Sequence, residues 1–288
     1  MKNTAASIKS RLLKLSRDES ISFQLLIIRY FQERLLYRMS ISVYKNSFFL
    51  KGGVLLYLFD GMLARPTKDM DFMAVDLEND PMAMKVVFKE IIEHNDIQDG
   101  IIFDPHSISA AAIIESGRYR GVRLFISGKL DSIVQKIQID IGFGDKIFPE
   151  ALFISYPVIF DFLDTPILLT YTKESVVAEK FHAMIELSSF NSRMKDFFDV
   201  YKLISSETMD AETLRMAIFQ TFKHRNTTFV DDHILFTEQF VTDRFRNQQW
   251  RAYISKIKGD SNLSFYDVLK TINAVLFDIW QDLKAHDE

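Results

Sequence analysis

The 288-residue chain contains no cysteine, which excludes a disulfide framework and thiolate chemistry and suits a reducing cytoplasm. It has no run of 18 or more apolar residues. The greasiest stretch, Phe153 to Leu169, is broken by Pro157, Asp161, Asp164 and Pro166, so no membrane span is expected. Its first residues carry Lys9, Arg11, Lys14 and Arg17 but lack the apolar segment and small-residue cleavage site of a secretory signal, so a cytoplasmic location is expected. Three familiar chemistries are missing as well. There is no G-x-S-x-G elbow, no complete P-loop or G-x-G-x-x-G fingerprint, and the six histidines do not form H-E-x-x-H.

What is present is enough apolar material, 48% of the residues, to bury a large core in two ordinary domains. The net charge is only −4, but it is unevenly spread: residues 1–70 hold 12 Lys/Arg against 5 Asp/Glu. Such a basic segment could face nucleic acid or polyphosphate through charge attraction, or simply be the solvated faces of helices.

Residues 20–39 repeat Phe23, Leu26, Ile27, Tyr30, Phe31, Leu35 and Leu36 at helical spacing, with Arg29, Glu33, Arg34 and Arg38 between them. That pattern predicts an amphipathic, core-facing helix. Phe48 to Leu50, Gly52-Gly53 and Val54 to Phe59 read as strand, tight turn and helix. Pro66 stops any continuation, and Asp69 to Val75 reads as the next strand. Gly121 to Ser127 and Val134 to Phe143 are strand candidates. The second alternates cleanly, with Ile137, Ile139, Ile141 and Phe143 on one face and Gln138 and Asp140 on the other. Beyond residue 170 the periodicity becomes helical: 172–187, 193–204, 211–223, a less regular region 233–257, and 264–283 opening on the capping Ser264. The expected class is α+β, with an α/β part at 1–170 and a helical part at 171–288.

Asp69 and Asp71 are two apart on a predicted strand, so both carboxylates leave the same face and offer the hard oxygens that suit Mg2+. Exposed carboxylates at strand ends are also common. Gly52-Gly53 lies at a strand-to-helix turn, where backbone N–H groups can receive phosphate oxygens; a plain tight turn is the alternative. Asp140 becomes a third ligand if its strand neighbours the first, and is otherwise solvent-facing. In the helical half Lys173 and Lys180 share a helix face and could meet phosphate, or be ordinary surface lysines. Arg193, Asp196 and Asp199 fall on one side of their helix, with Phe197, Val200 and Tyr201 toward the core, an arrangement equally open to surface ion pairing. His182 points away from Lys180 and reads as structural.

Taken in order, Gly52-Gly53, Thr67-Lys68-Asp69-Met70-Asp71-Phe72, Ile139-Asp140-Ile141-Gly142, Glu179-Lys180 and Arg193-Met194-Lys195-Asp196-Phe197-Phe198-Asp199 resemble the AbiEii/AbiGii family of nucleotidyltransferase toxins over roughly residues 20–205. The Arg-x-Lys-Asp-x-x-Asp run is the most specific part. The resemblance implies a DNA polymerase β-like nucleotidyltransferase core, a mixed sheet flanked by helices with N-terminal helices within 1–170, followed by a helical C-terminal domain. It also implies a cognate antitoxin protein and transfer of NMP from an NTP onto RNA, in some members tRNA acceptor ends, or onto a protein acceptor. By motif, Asp69, Asp71 and Asp140 would hold Mg2+ (or Mn2+), Asp196 would be a catalytic or lysine-orienting carboxylate, and Asp140 or Asp196 would take the acceptor's proton. Gly52, Gly53, Thr67, Lys68, Lys173, Lys180 and Arg193 would hold the nucleotide, with Lys180 on the triphosphate. Gly53 stands where many nucleotidyltransferases have serine, so a phosphate contact there must come from backbone N–H groups.

For the acceptor, the basic segment and Phe222-Lys223-His224-Arg225 with Arg244, Phe245, Arg246, Trp250 and Arg251 could bind RNA by charge and stacking, or be helical surface and core. Two rivals come from other classes. One is a non-catalytic nucleic-acid or antitoxin binder on the same scaffold; the other is a glycosyltransferase that uses Asp-x-Asp on a nucleotide-sugar.

Overall fold

The computed structural model describes residues 4–94, 96–115, 118–206, 209–227, 230, 232–257 and 262–285. The chain divides into two compact units, 1–145 with 152–170 and 146–151 with 171–288.

The first unit runs α1 (Thr4–Asp18), α2 (Phe23–Ile41), β1 (Phe48–Lys51), α3 (Gly52–Asp60), β2 (Asp69–Ala74), α4 (Pro81–Ile92), β3 (Ile101–Glu115), β4 (Arg118–Leu130), β5 (Ile133–Phe143), β6 (Leu152–Ser155) and β7 (Ile167–Thr170). α4 and β7 add to the elements expected from periodicity. α4 starts where local chemistry dictates: Asp80 accepts from the N–H groups of Met82 and Ala83, and Pro81 occupies the first turn, where a missing N–H costs nothing. The seven strands form one mixed sheet in the order β3-β4-β5-β2-β1-β7-β6. β2 runs parallel to β5 and β1 parallel to β7; the other pairs are antiparallel.

The alternation read in β5 is realised. Ile137, Ile139 and Ile141 are buried, whereas Gln138 and Asp140 are half-exposed. α1, α2 and α4 pack on strands of the sheet, with Phe31 of α2 edge-on to Phe103 of β3 at 6.1 Å.

α2 is not the amphipathic helix that its charges suggest. Arg29, Glu33, Arg34 and Arg38 are as buried as the apolar residues around them. Arg38 forms a two-pronged pair with Asp99 at 2.7 and 3.2 Å, and Arg34 lies 3.0 Å from Glu33 and donates to the Asp164 carbonyl. Arg29, Arg34 and Arg38 therefore add nothing to a basic outer surface. Burial is the largest influence on Glu33 and outweighs Arg34, the Ile159 N–H and Arg29, so its carboxyl rises from 4.5 to about 7. The folded state then binds this proton more tightly than the unfolded chain. Its contribution to stability is present below about pH 4.5 and is lost as pH rises toward about 7. Glu33→Gln, which keeps an acceptor for Ile159, is expected to flatten that part of the pH–stability curve; urea midpoints between pH 4 and 8 read it.

The second unit contains α5 (Lys173–Leu187), α6 (Met194–Ile204), α7 (Ala211–His224), α8 (Glu238–Thr242), α9 (Arg244–Ile254) and α10 (Phe265–Ala285). Its core is aromatic: Phe181 meets Phe222 at 5.3 Å and Trp280 at 6.4 Å, and Phe265 meets Phe197 and Trp250 at 5.3 and 5.4 Å. Ser264 accepts from the Asp267 N–H at the start of α10, as its position predicts. No helix among the described residues is long and apolar enough to cross a membrane.

Candidate active site

β1 and β2 are antiparallel, with Lys51 opposite Asp71, so the chain leaves β1 beside the Asp71 carboxylate and turns at once into α3. The turn needs glycine twice over. Gly52 has φ +69°, and a Cβ placed on it would lie 2.0 Å from Asp71 Oδ2. On Gly53 a Cβ would lie 2.6 Å from Thr67 Oγ1 and 3.3 Å from Arg65 Nη1. No side chain caps the first turn of α3, and no acidic residue occupies it. The positive end of a helix and a carboxylate therefore meet with only backbone between them.

The segment before β2 is fixed from two sides. Gln32, buried in α2, donates to the Lys68 carbonyl at 3.1 Å, and Thr67 Oγ1 donates to the Asp69 carbonyl at 3.3 Å. Lys68 itself is exposed. These bonds set where β2 begins, and so where Asp69 projects. Along β2 the half-exposed Asp69 and Asp71 alternate with buried Met70 and Phe72, which puts both carboxylates on the sheet face away from the core.

The condition placed on Asp140 by the sequence is met: β5 lies next to β2, with Asp71 opposite Asp140 and Asp69 opposite Gln138. Its carboxylate, however, is already engaged. Arg123, opposite it on β4, donates from Nε to Oδ1 and from Nη2 to Oδ2, both at 2.7 Å, and Gln138 Nε2 lies 3.3 Å from Oδ2. Among the described residues no three His, Asp or Glu side chains converge as a metal-holding group. Of the three carboxylates expected to hold metal, Asp140 is thus clamped by arginine, while Asp69 and Asp71 share the face of β2. Arg123 is held more firmly protonated than usual, first by its bond to Asp140, with Asp140, Asp69 and Asp71 adding their charges against the cost of burial.

Arg123, Gln32 and Lys51 are the residues that sequence reasoning missed. Lys51 precedes the Gly-Gly turn and lies 3.6 Å from Asp145. The one signal for Arg123 is a charged residue between buried Val122 and Leu124 in a strand; its partner follows only from the β4–β5 register.

In the second unit Lys180 Nζ sits between two buried carboxylates, Asp196 at 2.7 Å and Asp199 at 2.8 Å, and Arg193 Nε approaches Asp196 from the other side at 2.6 Å. Asp196 and Asp199 are therefore core groups on α6, not surface ion pairs, while Arg193 at the helix start is exposed. Lys173 opens α5, which Thr172 caps. His182 is buried, with Nδ1 3.3 Å from Arg225 Nη1, as a structural histidine should be. Of the stacking candidates, Phe222 and Trp250 are core residues, Trp250 donating to the Leu263 carbonyl. Arg246 covers the ring of Phe240. Arg244, Phe245 and Arg251 remain exposed.

In overall structure the chain is similar to JHP933 from Helicobacter pylori, at a TM-score of 0.53 and 15% identity, covering 92% of this chain and 96% of that one. A candidate nucleotidyltransferase from H. pylori is similar at a TM-score of 0.54 and 14% identity, covering 93% and 99%. At such identities the likeness establishes the fold: a nucleotidyltransferase-like mixed sheet with flanking helices. No curated protein matches the sequence. The family described as "Nucleotidyl transferase AbiEii toxin, Type IV TA system" matches residues 34–274. That match takes in every motif set out above except the first turns of α2, and the chain belongs to the AbiEii family of nucleotidyl transferase toxins of type IV toxin–antitoxin systems.

Proposed function

We propose that the chain is a divalent-metal-dependent nucleotidyltransferase that takes an NTP as donor and places its NMP on a hydroxyl of an RNA acceptor, a tRNA 3′ end in the simplest case, under the control of a cognate antitoxin. One observation carries this reading: the Asp69–Asp71 pair lies on one strand face, with Gly52 packed against Asp71 at the uncapped start of α3.

The donor set fits Mg2+ or Mn2+. Two carboxylates supply hard oxygens, and a cation of this kind completes its shell with water and phosphate. When bound, the cation supplies charge neutralisation of the triphosphate and polarisation at the α-phosphorus. The chain's own residues do the positioning. Asp69 and Asp71 fix the cation against β2; the N–H groups of Gly52 and Gly53, which no side chain could screen, face phosphate oxygens. Thr67 and Lys68 line the approach from the other side of the turn. The acceptor oxygen attacks the α-phosphorus, the bond to the bridging oxygen of the β-phosphate breaks, and pyrophosphate leaves. The hydroxyl proton passes to a carboxylate, and Asp140 shares the sheet face with the metal pair.

Incubating the full chain with Mg2+, total RNA and each α-labelled NTP in turn tests the reading. Label should appear on RNA with the native protein and not with a folded Asp71→Asn variant. No label on RNA or protein with any NTP would favour a non-catalytic binder.

A further inference from the structure

The clamp on Asp140 has no place in a site that merely waits for metal. Arg123 commits two of its coplanar nitrogens, Nε and Nη2, to the two oxygens that a third ligand would offer, at 2.7 Å each. This fork-on-fork geometry is the strong form of the ion pair. The Arg123 side chain is nevertheless 43% exposed, and it sits on the outer sheet face within the fields of Asp69 and Asp71. It is thus anchored to carboxylate on one side and open on the other. Without a cation, three carboxylates on adjacent strands repel one another, and Arg123, on which all three act, is a group that offsets them. A divalent cation would make that compensation redundant, and a triphosphate would be a more highly charged oxygen partner for the same guanidinium.

We propose that Arg123 is a positioning residue that gates Asp140, holding its carboxylate closed to the metal until a triphosphate draws the guanidinium away. The inference rests on the proposed metal site at Asp69 and Asp71. It makes cation and donor binding cooperative through a residue that the sequence motifs do not include. The step is an exchange of ion-pair partners, with no bond made or broken and no proton moved.

The test measures Mn2+ binding to the full chain without nucleotide, by titration followed with electron paramagnetic resonance. Arg123→Met should bind Mn2+ about tenfold more tightly than wild type, the lower end of outer-sphere effects on metal affinity. Asp140→Asn in the same chain should cancel that gain. Inorganic tripolyphosphate should strengthen Mn2+ binding to wild type and leave Arg123→Met nearly unchanged. Arg123→Lys, which keeps the charge but not the fork, should fall between. If Arg123→Met binds Mn2+ no more tightly, or Asp140→Asn leaves its gain intact, the gate is overturned. An Asp71→Asn control separates the two readings: loss of Mn2+ binding there with no effect of Arg123→Met overturns the gate alone. Unchanged binding in Asp71→Asn overturns the metal site on which it rests.

Discussion

Lys180→Met is expected to cost about 3–5 kcal/mol of stability, the usual consequence of removing one member from a buried ionic cluster. Lys180 is 12% exposed and stands between Asp196 and Asp199, both 1% exposed, at 2.7 and 2.8 Å. Methionine would fill the volume but leave two carboxylates facing a thioether. Arg193 stays beside Asp196 and keeps part of its compensation. Urea unfolding at pH 7 reads the effect. A companion variant carrying Lys180→Met with Asp196→Asn and Asp199→Asn should recover much of the loss, because no bare charge is then left in the core. If the single substitution is thermodynamically neutral, the cluster does not hold the second unit together. The point matters for function, since the motif assigns Lys180 to the triphosphate. Loss of transfer in Lys180→Met would carry no message about phosphate until its stability had been measured, and the triple variant reports stability alone, because it also removes Asp196, a candidate for the acceptor's proton.

The second large effect is expected at Gly52. Alanine there would meet two penalties: a φ of +69°, which costs an L-residue about 1–2 kcal/mol, and a Cβ that would stand 2.0 Å from Asp71 Oδ2. Asp71 cannot absorb this by a small shift, because Cγ and Cβ of the same side chain would lie at 2.6 and 2.7 Å. The carboxylate must swing away by about an ångström or more, and displacements of that size cost about a hundredfold in rate. Transfer should thus fall at least that far, while far-ultraviolet circular dichroism stays close to wild type. Gly61, whose φ is also positive but which has no neighbour within 4 Å of a built Cβ, is the matched control. Gly61→Ala should show the backbone cost without the catalytic loss. Equal activity in both variants would mean that Asp71 does not need the geometry seen beside Gly52.

The extent to which the sequence disclosed this arrangement follows from the range of each interaction. β5 was legible because alternation is local: buried Ile137, Ile139 and Ile141 against half-exposed Gln138 and Asp140 is a property of eleven consecutive residues. The Gly-Gly turn and the same-face projection of Asp69 and Asp71 were legible for the same reason. α2 misleads, since Arg38 and Arg34 find partners in Asp99 and the Asp164 carbonyl and Glu33 accepts from the Ile159 N–H, all far along the chain. A charge reads as solvent-facing until such a partner is known. Arg123 was hidden similarly, because its role depends on which residue of β5 it opposes. The Asp196–Asp199 pair was visible as a motif but not as a buried one, for helical spacing says which residues share a side and not what lies against that side.

The parallel ladder between β2 and β5 has a consequence in time as well as in space. Residues 69–74 pair with 138–143 across the whole of α4, β3 and β4, and β1 pairs with β7 only at residues 167–170. The hairpins β3–β4 and β4–β5 can close early, being local. The strand that carries Asp71 must await a long loop closure, whose entropy is met before the pairing stabilises anything. On the ribosome, a nascent chain that has emerged only as far as β4 has made its Asp-x-Asp but has no β5 to set against it. A toxin of this topology is therefore expected to be inert for most of its own synthesis, becoming competent only after the later strands have left the exit tunnel.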